Sequence, residues 1–127
     1  MFDKEHEKNY HQVIIIKEKA VRTLLDLDGE IIVLEADYWV KFSAQAVPAN
    51  AHRPHGVNYA LTFHAPDGAR LIGYDNAHPV KLGRKKIGYD HRHRGARTYA
   101  YQWVDAEQLL IDFWADVEAF LNKELKQ

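Results

Sequence analysis

The sequence predicts an α+β domain, an antiparallel sheet of about five strands with a C-terminal amphipathic helix packed on one face. Three observations carry this expectation. Apolar residues alternate with polar ones through the middle of the chain, at 30–46, 57–64 and 98–104. Turn chemistry separates such runs, as Asp28-Gly29 and Pro66-Asp67-Gly68. After Val104 the apolar spacing becomes helical, through Ala106, Leu109, Leu110, Phe113, Val117, Phe120 and Leu121. A chain of 127 residues matches the size of one domain, 1–127, and can bury a core without a staple.

Taken in order, residues 1–12 are polar and compatible with a frayed or a helical start. A strand is expected around Lys19 to Leu27, joined at Asp28-Gly29 to a long strand from Glu30 to Ala46. In that strand Ile32, Leu34, Ala36, Tyr38, Val40, Phe42, Ala44 and Ala46 share one face. Pro48 to Pro54 reads as a connection. Val57, Tyr59, Leu61 and Phe63 alternate in the next strand, and Pro66-Asp67-Gly68 turns it into Arg70 to Asn76. From His78 to Arg97 apolar residues are sparse and glycine recurs, which predicts a long irregular loop of the kind that often carries function. Thr98 to Val104 is a short strand. Asp105 is then the expected N-cap of the helix, which runs to about Lys123, with Gln108 in the capping-box position.

Composition excludes several classes. The chain has no cysteine, hence no disulfide, thiolate nucleophile or cysteine-bound zinc. The early aliphatic run, Val13 to Ile16, is far too short to span a bilayer and follows a charged stretch unlike a signal peptide, so a cytoplasmic protein without membrane attachment is expected. Charge is strongly divided. Residues 1–40 carry 5 basic and 9 acidic groups, residues 41–104 carry 10 and 3, and residues 105–127 carry 2 and 6. Six of the eight histidines fall in the basic middle. Such a face suits a polyanion such as RNA; the alternative is that the charges disperse over a solvated surface.

The segment Asp90-His91-Arg92-His93-Arg94 concentrates the chemistry. An extended backbone places the two histidines on one face with Cα atoms roughly 6.5 to 7 Å apart. Two imidazoles can divide general acid and base roles near neutral pH, and arginine offers bidentate donors to a phosphate. Metal-independent RNA cleavage needs that set. One histidine takes the ribose 2′-hydroxyl proton while the other protonates the departing 5′-oxygen. Arg92, Arg94, Lys85 and Lys86 then bind phosphate, Asp90 fixes a tautomer, and Tyr89 stacks on a base or donates its hydroxyl. Arg53 and Arg70 are alternative phosphate contacts. No cofactor is expected.

The same residues admit a second chemistry. His91 and His93 with Asp75 or Asp90 could chelate a divalent ion, although Arg92, Arg94 and Arg97 disfavour a cation there. A third reading is a basic loop that only binds. Asp75 and Asn76 read as ordinary turn residues, His52-Arg53-Pro54-His55 as a solvated turn, His64 as structural, and Trp39, Trp103 and Trp114 as core or interface anchors.

Tyr74-Asp75-Asn76, the basic glycine-containing loop, Asp90-His91-Arg92-His93, the Tyr99-x-Tyr101-x-Trp103 strand and the Leu109 to Val117 segment occur in one order. From about Glu30 to Phe120 the chain resembles the TumE family of toxin-antitoxin proteins. Members typically carry a short Gly-Lys-Gly link before Asp-His-Arg-His; a longer stretch, His78 to Tyr89, stands here. The resemblance implies a small toxin neutralised by a helix-turn-helix antitoxin encoded beside it. It leaves the toxic chemistry and the oligomeric state open, a homodimer included.

Overall fold

The computed structural model describes residues 10–76, 80–82 and 86–126, with side chains described for 18–76 and 89–126. The chain is α+β. Helix α1 (Tyr10–Asp26) is followed by β1 (Ile31–Val33), β2 (Trp39–Ala46), β3 (Val57–His64) and β4 (Arg70–Asp75). Then come β5 (Val80–Leu82), β6 (Lys86–Gly88), β7 (His91–Arg94), β8 (Arg97–Ala100) and α2 (Ala106–Leu125). Six strands form one sheet in the order β1-β2-β3-β4-β7-β8, every neighbour antiparallel, while β5 and β6 pair separately.

The expected strand near Lys19–Leu27 is instead the last part of α1. A window of nine residues is too short to separate the two periods, but Ala20, Val21, Leu24 and Leu25 follow helical spacing and pack on the core, Leu24 completely. Gly29, at φ 83°, ends the helix rather than turning a hairpin. The expected long strand Glu30–Ala46 also divides. Ala36 and Asp37 adopt left-handed backbone, at φ 54° and 66°, and Leu34 N–H donates to the Tyr38 carbonyl at 2.7 Å, folding β1 back onto β2. Alternation runs on across this turn because Ala36 happens to sit in phase. The irregular loop expected from His78 to Arg97 contains β5, β6 and β7, and the final strand is shorter than expected, ending at Ala100. Alternating charged residues conceal β7 from any hydrophobic pattern.

The helical cap is as anticipated, since the Asp105 carboxylate accepts from Gln108 N–H at 2.8 Å. Gln108 itself donates to Asp112 rather than back to the cap. Both helices contribute to one core with Val40, Phe42, Tyr59, Leu61, Phe63, Ile72, Tyr74, Leu109, Phe113 and Val117. Of the predicted helix face, Leu109, Phe113 and Val117 are buried, and Leu110 and Phe120 partly so. The alternate strand positions, Trp39, Lys41, Ser43, Asn58, Ala60, Thr62, His64, Gly73, Asp75, His91 and His93, therefore face away from the helices. No helix among the described residues is long and apolar enough to cross a membrane.

Candidate functional site

Antiparallel register brings Asp75 of β4 directly opposite His91 of β7, and Gly73 opposite His93. Asp75 therefore shares a face with both histidines. Its Oδ1 lies 2.8 Å from His91 Nε2 and its Oδ2 lies 3.3 Å from His93 Nε2, so one carboxylate bridges two imidazoles. The rings meet edge to face with centroids 4.8 Å apart. His91 is wholly buried, whereas 14% of the His93 side chain reaches solvent.

Tautomers follow from the remaining nitrogens. His91 Nδ1 is 2.8 Å from the Tyr89 carbonyl, which only accepts, so Nδ1 carries hydrogen. A neutral ring would then turn the lone pair of Nε2 toward a carboxylate oxygen. A favourable 2.8 Å contact therefore needs a proton shared between imidazole and carboxyl, or a cation coordinated by both. His93 Nδ1 contacts Thr98 Oγ1 at 3.1 Å, a hydroxyl that can donate or accept. Burial and the nearby Arg70 guanidinium push the His93 pKa below the ordinary histidine value, against the opposing pull of Asp75.

Arg70 owes its position to a bulge. Phe63 pairs with Ile72 and His64 with Arg70, so Leu71 is the extra residue that returns Arg70 to the histidine face. Gly73 leaves room for it: a Cβ there would meet Arg70 Cδ at 3.4 Å and His93 Cδ2 at 3.6 Å. Nothing in the sequence marked Arg70 as adjacent to His93.

The arginines of the motif lie elsewhere. Alternation turns Arg92 and Arg94 to the helix side of β7, where Arg94 donates to Asp116 of α2 at 2.8 Å. Arg92 approaches the same carboxylate at 3.8 Å and lies over the Tyr99 ring. Tyr74 donates to Asp116 at 2.6 Å; burial and this carboxylate push its pKa up to about 12. Part of the basic middle segment is thus neutralised by the acidic C-terminal helix. Lys85 lies outside the described residues, and only the backbone of Lys86, in β6, is described.

Asp90 also points away from the histidine pair. It accepts the Tyr59 hydroxyl at 2.7 Å and lies 3.2 Å from His55 Nε2. Val57 N–H donates to His55 Nδ1, so Nε2 carries the hydrogen directed at Asp90, and Trp103 stacks on the imidazole with centroids 4.0 Å apart. Burial, then Asp90, raise the Tyr59 pKa. His55 is therefore a fixed structural partner rather than a solvated turn residue. Tyr89 carries the Arg53 guanidinium 5.4 Å above its ring and the His52 ring at 4.4 Å.

The Tyr-Asp-Asn segment thus has three separate duties. Tyr74 joins the sheet to α2, Asp75 joins the histidines, and Asn76 extends the pairing to β3. The Asn76 amide accepts from Tyr59 N–H at 2.9 Å and donates to the Val57 carbonyl at 2.8 Å, fully buried. Asn76→Ala strands both backbone groups and is expected to cost about 1 to 3 kcal/mol in urea unfolding. A cost below about 0.5 kcal/mol would show that water restores these bonds.

The family model described as Toxin TumE matches residues 6–121. The chain belongs to the TumE toxin family. As a TumE protein it is assigned to a toxin-antitoxin system, and the assignment implies an antitoxin partner. Comparison with curated proteins and with solved structures returned no match.

Proposed function

We propose that this toxin acts on RNA as a ribonuclease whose reaction centre is the Asp75–His91–His93 cluster, and that a helix-turn-helix antitoxin restrains it. The observation that supports this reading is the single carboxylate shared by two imidazoles, one buried and one open. Burial separates the roles that the sequence left equal. His93 meets the substrate and takes the proton from the 2′-hydroxyl. Its oxygen attacks the adjacent phosphorus, the bond to the 5′-oxygen breaks, and that oxygen takes a proton from water, leaving a 2′,3′-cyclic phosphate. Asp75 stabilises the imidazolium formed on His93, and His91 is a positioning residue that holds the carboxylate. Arg70, beside His93, is the phosphate contact closest to the chemistry, and Arg92 and Arg94 join β7 to α2.

The test is cleavage of single-stranded RNA in excess EDTA. Wild-type protein should remain active, and His93→Ala and His91→Ala should each be inactive yet folded. DNA, without the 2′-hydroxyl, should resist. Because the His93 pKa is lowered, its neutral form persists as pH falls through the ordinary histidine value of about 6.5. The acid limb of the pH–rate profile should therefore lie below that pH; a limb above it would remove His93 as the base.

A second reading, a divalent-cation site, is favoured by one observation. The ligand atoms of Asp75, His91 and His93 all lie within 4.8 Å of one another, and His91 donates its other nitrogen to a carbonyl in the manner of metal-bound imidazoles. Activity lost to EDTA and restored by zinc or manganese would assign the cluster to a metal.

A further inference from the structure

We propose that the sheet face turned away from the helices is a track for single-stranded RNA. A base stacks on the Trp39–His64 pair, and Lys41 and Arg70 hold the phosphates on the way to His93. The proposal rests on the ribonuclease reading for where the track ends, and on independent features of the face for the track itself.

The first feature is the ring pair. Trp39 and His64 are opposite one another on β2 and β3, and their rings are stacked with centroids 3.9 Å apart and planes 8° from parallel. Both are half-exposed and lie on the side away from the hydrophobic core. The imidazole is held at both nitrogens, by the Gly68 carbonyl at 3.0 Å and by Thr62 Oγ1 at 2.9 Å. A tryptophan stacked on a pinned imidazole on the outer face of a sheet lies outside the hydrophobic core, and its ring offers a π surface that any base can use.

The second feature is charge. From β2 to β7 the outward strand positions include two exposed cations, Lys41 and Arg70, and one carboxylate, Asp75, which both histidines already engage. Cations outnumber carboxylates at these strand positions, which favours a polyanion. The third is continuity. Register places Trp39, His64 and Arg70 in one row across three strands, with Lys41, Thr62, Gly73 and His93 in the next. Two strand spacings and one two-residue step separate His64 from His93 by roughly 12 Å. Arg70 bridges part of that distance, since its side chain flanks the Gly73 position together with His93.

The probe is a fluorescent 2′-O-methyl oligonucleotide, which cannot be cleaved, bound to the full chain and followed by anisotropy over a salt series. Trp39→Ala should weaken binding about tenfold or more, and Trp39→Phe should retain most of the affinity. Lys41→Glu, which changes an exposed side chain only, should weaken binding without altering the melting temperature. Lys41→Ala and Arg70→Ala should each flatten the salt slope by about 0.7. Affinity and slope unchanged in all these variants would overturn the track, as would variants that keep RNA and lose the antitoxin, which would give the face to a protein. Because the probe is uncleavable, failure of the ribonuclease reading would appear separately, as no turnover of ordinary RNA by a protein that still binds through Trp39.

Discussion

Asp75→Asn should abolish RNA cleavage, with a loss of about 10² to 10⁴, while leaving the fold intact. The substitution preserves shape and exchanges a charge for an amide. Its nitrogen can donate to His91 Nε2, whose other nitrogen is committed to the Tyr89 carbonyl, and its oxygen can accept from His93. The cluster thus keeps its contacts. What disappears is the negative charge that stabilises a proton arriving on His93. Cleavage measured beside far-ultraviolet circular dichroism and a thermal melt separates the two effects. Full activity in a folded Asp75→Asn protein would end the case for this cluster, under the acid–base and the metal reading alike.

Phe113→Ala should destabilise the protein by about 3 to 5 kcal/mol, the usual range for deleting a fully enclosed aromatic ring. Phe113 is inaccessible to solvent and meets Phe42 edge-on at 5.7 Å and Tyr74 at 6.1 Å. It therefore contacts both the second strand and the strand that carries Asp75. Its removal leaves a cavity behind Tyr74, whose hydroxyl is tethered to Asp116. Urea denaturation measures the loss, and a change under 1 kcal/mol would mean that α2 reseats itself against the sheet.

The α+β class, the β3–β4 hairpin and the capped C-terminal helix were legible because each has a strong local signal: alternation, Pro-Asp-Gly and an Asp N-cap. The first helix was not, since the nine residues from Lys19 to Leu27 are too few to separate a helical period from a strand period. The turn at Ala36-Asp37 was invisible because alanine preserved the alternation. At the site, the histidine pair was readable from spacing alone. The same alternation puts Arg92 and Arg94 on the opposite face, a consequence available from the sequence that charge-based reasoning overlooked. Asp75 was readable as a turn residue or as one of two acids that could join the histidines, and the choice between Asp75 and Asp90 depends on which strand lies next to β4. That neighbour is β7 rather than the intervening β5, and no local pattern encodes the choice. His55 and Arg70 depend likewise on a long-range contact and a bulge.

Strand β7 presents imidazoles on one side and guanidiniums on the other, so its frame is unforgiving. A one-residue slip of β7 against β4 would exchange the two sets, facing arginines toward Asp75 and burying histidines against Asp116. The separate β5–β6 pair is different, since it leaves the main sheet after β4 and its length sets no register within that sheet. Chain length can therefore drift between Asn76 and Tyr89, which accommodates a connection longer than Gly-Lys-Gly, while the count from Tyr89 to Gly95 cannot. Tolerance to added residues is thus expected to follow phase: high where the chain is off the sheet, low once it has rejoined.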